Sequence, residues 1–318
     1  FSLKPQNFTS ATNSFNTGVG FYAGLSNTSG QNNTFLGNET GAFTTTGDKQ
    51  TFVGSYAGTG ITGIKLTGSN NTAVGYAAGF RLQGVAGENT LMGSDAGANV
   101  TTALRNTCLG ALATTALNTG NENTIVGYQA GTYATALTTG TRNCLFGAYT
   151  NTDAVNSEYA NGFGYFIEAE AGYTTVGQAS SDIRAAHGNV TWATVSDERY
   201  KKDIVDSTAG LSFINALQPR TFKYKNLGEL PEAFSAYEAD STEVFKNSNT
   251  NHGFIAQEVK AAIDADSSIK DGFRLWDERS DGSQEVGEAA LIPMLTKAVQ
   301  ELSTALDAAL ARIATLEG

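Results

Sequence analysis

With 318 residues, the chain is long enough for about two domains of ordinary size. Its formal net charge of -11 and sequence pI near 4.7 oppose the electrostatic attraction that draws proteins onto nucleic acid or anionic lipid. No apolar run approaches the roughly 18 to 20 residues that cross a bilayer, and the chain opens at Phe1 without a signal-like segment. We therefore expect a soluble fragment of a longer protein that binds neither nucleic acid nor membrane.

The composition changes near Ser196. Residues 1–195 are rich in Gly, Asn, Thr and Ala and contain few Lys or Arg, whereas charged residues and helical patterns gather after Ser196. This change predicts a stalk over residues 1–153, a transition segment of the stalk over residues 154–195, and a separate domain over residues 196–318.

The first part of the chain is a repeat array. The segment NTAVGYAAG, from Asn71 to Gly79, recurs in altered form, and the eight copies start at positions 16, 33, 50, 71, 89, 106, 123 and 143. A regular spacing of 17 to 21 residues is typical of stacked-rung architectures.

Each copy has a strand-like core of Thr, two apolar residues and Gly, followed by turn-rich sequence. One such rung has too few core side chains to offset an ordering cost of about 1 to 2 kcal/mol per residue. We therefore expect rungs that bury both apolar side chains against their neighbours, and an elongated β-roll or β-helix-like stalk that gains further stability by packing around a symmetry axis.

Aromatic residues recur just after the repeat glycine, at Phe21, Tyr22, Tyr56, Tyr76, Tyr128 and Tyr149. We expect them to pack between rungs or between chains, and the alternative is a ladder that stacks on sugar rings of a host surface. Acidic residues before position 196 are scattered, so the paired carboxylates of a glycan-degrading enzyme would have to lie upstream of Phe1.

The chain has only two cysteines and two histidines. Cys108 and Cys144 occupy repeat positions, and we expect both to be reduced, buried and inert, with a disulfide or metal pair as the alternative. Two histidines exclude a His-rich metal site. We therefore expect no cofactor and no metal.

The repeats resemble the Asn/Thr-apolar-apolar-Gly repeats of phage tail fibres and, more loosely, the β-roll heads of trimeric bacterial adhesins. The resemblance covers about residues 16–150. It implies a homotrimer in a virion tail fibre, assembled in the host cytoplasm, with a host cell-surface glycan or receptor as partner.

The sequence after Trp192 matches a known family more specifically than the repeats do. Ser196, Asp197, Arg199, Lys201 and Ile204 match the Ser-Asp-x-Arg-x-Lys-x-x-Ile opening of the intramolecular chaperone domain of phage endosialidases. LSFINALQPRTFKY from Leu211, HGFIAQEV from His252 and LIPMLTKAVQELSTAL from Leu291 are similar to its first helix and strand, its central element and its closing helix. The resemblance implies an α+β domain that guides trimer assembly.

The same resemblance implies self-cleavage between Val195 and Ser196, with Ser196 as nucleophile and Lys201 as base. A serine hydroxyl needs a neighbouring base, and a lysine is a base only when neutral, which burial or nearby cations such as Arg199 favour. Residues five apart do not meet within one helix or strand, so a turn or a neighbouring chain is required. Asp197, His252 and Gln257 are further candidates for the cleavage site, although HGFIAQEV also fits a core strand leading into a helix.

The last predicted element is a coiled-coil helix over residues 291–317. Apolar residues recur at alternating steps of three and four, which is a heptad seam: Ile292, Leu295, Val299, Leu302, Leu306, Ala309, Ile313 and Leu316. We expect this helix to align the chains so that their rungs pair correctly.

These observations predict a fibre fragment with an autoproteolytic serine peptidase domain that acts once on its own chain. The main alternative is a structural trimeric adhesin that retains its chaperone uncut. A membrane-bound transcription factor with the same cutting domain is excluded, because the sequence has neither a DNA-binding pattern nor a transmembrane segment.

Overall fold

The computed structural model describes residues 13–267, 269 and 274–317. The first twelve residues of the predicted stalk and the last residue of the predicted chaperone domain lie outside the described residues. The chain divides into two compact units, Phe1–Tyr200 and Lys201–Gly318, each of which has its own core.

The first unit is a β-solenoid, which confirms the predicted fold of the stalk. Each repeat forms one short strand: β1 (Thr17–Val19), β2 (Thr34–Leu36), β3 (Thr51–Val53), β4 (Thr72–Val74), β5 (Thr90–Met92), β6 (Thr107–Leu109), β7 (Thr124–Val126) and β8 (Cys144–Phe146). These strands pair in parallel, each with the next, so that equivalent positions of successive repeats are aligned.

The segment 154–195 continues the same sheet before the sheet changes form. It contains β10 (Asn161–Tyr165), β12 (Tyr173–Gln178) and β13 (Ser181–Ala186), while β9 (Asn151–Thr152) and β11 (Glu168–Ala169) form a small separate sheet. Strands β10 and β12 are parallel to β8, and β13 is antiparallel to β12. The change of form therefore comes at β13, later in the chain than the loss of the sequence period.

From β2 to β8, only the first of the two core residues of each repeat is buried, which corrects the expectation that both are. Side chains alternate along a strand, so the first residue, such as Phe52 or Leu91, points into the tube and the second points outward. The second residues form what we call the outer row: Val19, Leu36, Val53, Val74, Met92, Leu109, Val126, Phe146, Phe163 and Val176.

A ladder of buried amides stacks the rungs. The side chain of Asn106 accepts the backbone N–H of Asn123 at 3.0 Å and donates to the carbonyl of Gly120 at 2.9 Å. Asn33, Asn71, Asn89, Asn123 and Asn143 are buried at the same repeat position, and Gln50 takes it in one rung. The repeated Asn thus satisfies backbone groups that the narrow interior removes from water.

The repeat glycine allows adjacent rungs to approach closely. Gly110 has a φ of +136°, and a Cβ built on it would lie 2.5 Å from the carbonyl oxygen of Gly127. A side chain would therefore collide with the next rung, and the backbone angle would strain it as well.

The second unit is a small α+β domain followed by a long helix. Its elements are α1 (Leu211–Ala216), β14 (Arg220–Phe222), β15 (Asn251–Gly253), α2 (Ala256–Ala265), β16 (Trp276–Glu278), β17 (Gln284–Val286) and α3 (Ile292–Glu317). Strands β14 and β15 pair antiparallel, as do β16 and β17. The core forms where α1, α2 and the start of α3 meet, around Phe213, Val259, Ile263, Leu275 and Leu291.

Both cysteines are free thiols, but they differ in exposure. Cys108 is fully buried at the first apolar position of its repeat, whereas Cys144 takes the place of the repeat Thr and is half-buried. The expectation that both are buried is therefore correct only for Cys108. Within the described ranges, no helix has the length and apolar content of a membrane span.

Candidate functional site

The chain is held against the sheet until two residues before the predicted cut. Ala193 forms an antiparallel bridge with Arg184 of β13, with both N–H to O distances at 2.8 Å. The Thr194 hydroxyl donates to the carbonyl of Asp182 at 2.8 Å. The sheet edge thus positions the residues on the N-terminal side of the junction.

Val195 and Ser196 lie beyond this attachment and are exposed. The side chain of Val195 is 50% exposed, and Ser196 is exposed as well. From position 187 to position 208, every residue is exposed except Asp197, which is partly buried. In a single chain, the bond between Val195 and Ser196 therefore lies in contact with water.

A short 3₁₀ helix, Glu198–Tyr200, follows Ser196, and Asp197 fixes its start. One carboxylate oxygen of Asp197 accepts the backbone N–H of Arg199 at 2.9 Å, and the backbone carbonyl of Asp197 accepts the N–H of Tyr200. The Arg199 guanidinium also donates to both carboxylate oxygens, at 2.9 and 2.7 Å. Hydrogen bonds from Arg199 hold the pKa of Asp197 below its usual value.

The Asp197–Arg199 pair bears on the electrostatics expected for the cleavage site. The sequence offers Arg199 as a cation that favours a neutral lysine, but its charge is matched by Asp197 in a bidentate pair. Desolvation is the other means by which a lysine becomes a base. In the single chain Lys201 is exposed.

The other two candidates lie in the second unit. His252 is at the centre of β15, opposite Thr221 of β14. Both residues line an open cavity together with Pro219, Arg220, Gly253, Phe254 and Glu288. Gln257 is exposed on the first turn of α2. The segment HGFIAQEV therefore does form a strand leading into a helix, and His252 also faces a cavity.

Sequence reasoning missed Arg220 as a member of this cavity. Its guanidinium donates to both carboxylate oxygens of Glu258 at 2.9 and 2.8 Å, which lowers the pKa of Glu258 and raises that of Arg220. The pair ties β14 to α2. No sequence spacing could have indicated it, because the two residues are 38 positions apart and meet only after β14 and β15 have paired.

Helix α3 presents its heptad seam without a partner in the single chain. The seam residues Ile292, Leu295, Val299, Leu302, Leu306, Ile313 and Leu316 are 46 to 78% exposed. Along a helix of 26 residues, this apolar face is about 39 Å long. Exposed apolar surface of that extent marks an interaction face.

Among the described side chains, no group of three or more His, Cys, Asp or Glu residues offers ligands for a metal ion.

Comparison with known families gives one match. Residues 196–266 match the family model described as chaperone of endosialidase. The search of curated proteins and the search of solved structures found no match for the chain. The matched region begins at Ser196 and contains α1, β14, β15 and α2. Residues 196–266 are thus similar to a family of chaperone domains that cleave their own chains.

Proposed function

We propose that the chain is part of a trimeric phage tail fibre or tailspike whose C-terminal domain directs assembly and then cleaves the bond between Val195 and Ser196. The observation that carries this proposal is the family match, because it starts at Ser196, at the point where the solenoid sheet has ended. The C-terminal domain stays attached while the fibre folds. The folded fibre binds a cell-surface glycan or receptor of its host. It assembles in the host cytoplasm and functions in the virion.

Two exposed apolar surfaces support assembly from several copies. The outer row spans nine steps between parallel strands, or about 43 Å, and its members are apolar in every rung. The heptad seam of α3 is a second unpartnered surface of similar length. Copies packed around an axis would cover each surface with its own equivalent, and a closed ring of three leaves neither exposed.

Assembly would also provide the conditions that cleavage needs. In the single chain the junction is exposed, and Arg199 is paired with Asp197. Neighbouring copies would exclude water from this segment, and a lysine that loses its hydration becomes a better base. Cleavage would then follow assembly, because the catalytic arrangement would be complete only in the oligomer.

In the proposed reaction, the Ser196 hydroxyl oxygen attacks the carbonyl carbon of Val195 while the Lys201 amine takes the hydroxyl proton. The bond from that carbon to the Ser196 nitrogen breaks as the nitrogen receives a proton. The product is an ester between the Val195 acyl group and the Ser196 oxygen. Water hydrolyses the ester to a Val195 carboxylate and restores the Ser196 hydroxyl, next to a new terminal amine. Each chain undergoes this reaction once.

The test is the intact mass of the purified protein. Wild-type protein should give two products that separate between Val195 and Ser196, whereas Ser196→Ala and Lys201→Ala should each give one chain of 33.3 kDa. Ser180→Ala and Lys223→Ala, which change exposed residues away from the junction, should cleave as wild type. All five proteins should sediment as trimers.

The outcomes separate the parts of the proposal. Cleavage of the Ser196→Ala variant at the same bond would overturn the role of Ser196. An uncut wild-type trimer would support the structural adhesin that retains its chaperone. A wild-type protein that is cleaved as a monomer would contradict the dependence of cleavage on assembly.

A further inference from the structure

Five aromatic side chains form a cluster over three consecutive rungs of the solenoid. They are Tyr128 and Tyr133, which follow β7, Tyr149, which follows β8, and Tyr165 and Phe166 at the end of β10. Tyr149 is central, and its ring centroid is 5.4 Å from Tyr128, 5.2 Å from Tyr133, 5.8 Å from Tyr165 and 5.3 Å from Phe166. We call these five residues the aromatic cluster.

The cluster combines apolar ring surface with hydroxyl groups at the surface of the protein. Tyr128, Tyr133, Tyr165 and Phe166 are 37 to 49% exposed although each packs against Tyr149. Burial and the closeness of three other tyrosine hydroxyls raise the pKa of Tyr149. The amide nitrogen of Gln129 lies 3.1 Å from the Tyr128 hydroxyl. The surface therefore offers rings with neutral hydrogen-bonding groups beside them.

The backbone beneath the cluster does not favour aromatic residues. Tyr149 and Phe166 have φ angles of +59° and +62°, in the left-handed region where bulky side chains are strained and Asn is tolerated better. The same position holds Tyr22 and Tyr56 in two other rungs but Glu39, Ala77 and Asp95 in three more, so the fold does not require an aromatic side chain there. The aromatic residues at these two positions are therefore favoured by packing within the cluster and by contacts that its exposed surface makes.

The extent of the cluster distinguishes it from a contact between copies. The outer row and the α3 seam repeat along the length of their elements, as an interface between identical stacked rungs should. The aromatic cluster stops at the rung of β7, and the ring contacts of Tyr56 with Tyr76 and Phe80 lie in earlier rungs, separated from it by two rungs. In the two rungs before it, the two positions after the repeat glycine are held by Ala111 and Leu112, and by Ser94 and Asp95. A surface confined to three rungs fits a short ligand better than a second stalk.

We propose that the aromatic cluster binds a short neutral oligosaccharide. The C–H faces of pyranose rings would stack on the exposed aromatic rings, and sugar hydroxyls would bond to the tyrosine hydroxyls, which suits rigid amphipathic side chains. The cluster spans two strand-to-strand steps, roughly 10 Å, with rings at both ends, which is the length of two or three sugar units. The cluster contains no charged side chain, and the net charge of -11 disfavours an anionic glycan.

This inference gives a location and a chemistry to the host binding included in the proposed function, and it does not depend on self-cleavage. An uncut Ser196→Ala protein should bind as well as wild type. A wild-type protein that stays uncut but binds would therefore count against the peptidase alone, and a wild-type protein that cleaves itself but does not bind would count against the cluster alone.

The experiment is titration calorimetry of the full chain with cellotriose, maltotriose, mannotriose and chitotriose, with sialyllactose as the anionic comparison. At least one neutral trisaccharide should bind wild type. Tyr149→Asn, which suits the left-handed backbone, should weaken that binding by about tenfold or more. Tyr56→Asn is the matched control, because it removes the same side chain from the same repeat position at a φ of +62°, from a smaller group of rings with Tyr76 and Phe80 that lies outside the aromatic cluster. It should bind as wild type.

Several results would overturn the proposal. They are the absence of binding by all four neutral trisaccharides, equal binding by wild type and Tyr149→Asn, or binding of sialyllactose alone. Sedimentation tests the remaining alternative, because dissociation of the oligomer by Tyr149→Asn would assign the cluster to contacts between copies. Thermal unfolding of both Asn variants checks that each solenoid remains folded.

Discussion

Glu301 of α3 accepts a hydrogen bond from the backbone N–H of Leu211, the first residue of α1, at 2.8 Å. The preceding residue, Gly210, has no side chain that could cap the helix, and a Cβ built on it would lie 2.6 Å from a carboxylate oxygen of Glu301. A residue 90 positions away thus caps α1 and ties it to the long helix.

Removal of this cap should destabilise the second unit. We expect Glu301→Ala to lower its free energy of unfolding by about 1 to 2 kcal/mol, because the Leu211 N–H loses its acceptor. Glu301→Gln keeps an oxygen at the same distance and should lose only part of that amount. Asp307→Ala, at an exposed site on the same helix, is the control. Equal denaturant midpoints for Glu301→Ala and Asp307→Ala would show that the cap contributes no stability.

Cleavage should require that the heptad seam of α3 first packs against other copies of the chain. Leu302→Asp places a charge at the centre of the seam, where a packed coiled coil has no water to solvate it. We expect this variant to remain uncut and to sediment as a monomer. Ala311→Asp adds the same charge at an exposed position off the seam and should assemble and cleave normally. If Leu302→Asp is cleaved at the wild-type rate, the helix does not control the reaction.

Thr114 occupies a position where the fold favours glycine. Its φ is +49°, and the equivalent residues of other rungs include Gly41, Gly79 and Gly131. Its buried hydroxyl faces the Cys108 thiol, a weak partner, and makes no other hydrogen bond within the described part of the chain. Thr114→Gly should therefore raise the free energy of unfolding, by about 1 kcal/mol.

The neighbouring residue provides the control for Thr114. Ala113 is equally buried but has an ordinary backbone angle, so Ala113→Gly should destabilise the solenoid by about 0.5 to 1 kcal/mol through lost chain stiffness. Thermal unfolding of the two variants should move in opposite directions. A lower midpoint for Thr114→Gly would mean that its methyl packing outweighs the strain.

The sequence predicted the features that depend on local pattern. The repeat period predicted the solenoid, because each rung is one unit whose strand and glycine recur at fixed positions. The heptad spacing predicted α3, which runs from Ile292 to Glu317. The resemblance of the motif at Leu211 to the chaperone domain predicted α1 with β14, and the alternative interpretation of HGFIAQEV predicted β15 with α2.

Features that depend on tertiary contacts could not be predicted. Strand alternation indicates that Phe35 and Leu36 face opposite ways, but not which of them lies inside, because both are apolar. The pairing of Arg220 with Glu258 and the capping of Leu211 by Glu301 join residues far apart in sequence. In the rungs beyond β8 the strands persist without the Thr-apolar pattern, because backbone pairing with the previous rung is enough to extend the sheet.

The buried amide ladder should be the least tolerant part of the solenoid. Asn106→Leu keeps the approximate volume but leaves the Gly120 carbonyl and two N–H groups of Asn123 without their partner. Buried groups that lose a partner should lower the free energy of unfolding by about 3 kcal/mol or more. Asn99→Leu, at an exposed site, should have a much smaller effect in the same thermal unfolding measurement. Similar losses of unfolding free energy for Asn106→Leu and Asn99→Leu would indicate that the hydrogen bonds of the amide ladder do not stabilise the solenoid.

Cys108 should make the stability of the solenoid depend on alkaline pH. Burial raises the pKa of its thiol to about 12, whereas an unfolded cysteine titrates near 8.5. The folded state therefore holds the proton more tightly, and this contribution is complete below about pH 8.5 and lost as the pH rises towards 12. Over that window, the free energy of unfolding of wild type should fall by about 1.4 kcal/mol per pH unit relative to that of Cys108→Val.

Denaturant unfolding at pH 8, 9 and 10 measures this difference, since the other titrating groups are shared by both proteins. Cys144→Thr introduces the usual repeat residue at a half-buried site, where burial also raises the thiol pKa. The pH dependence of its free energy of unfolding should lie between that of wild type and that of Cys108→Val. Pulsed alkylation should label Cys144 before Cys108, because a fully buried thiol reacts only when its rung opens. A constant difference between wild type and Cys108→Val across the three pH values would show that the folded state tolerates the Cys108 thiolate, which would require water to reach the interior of that rung.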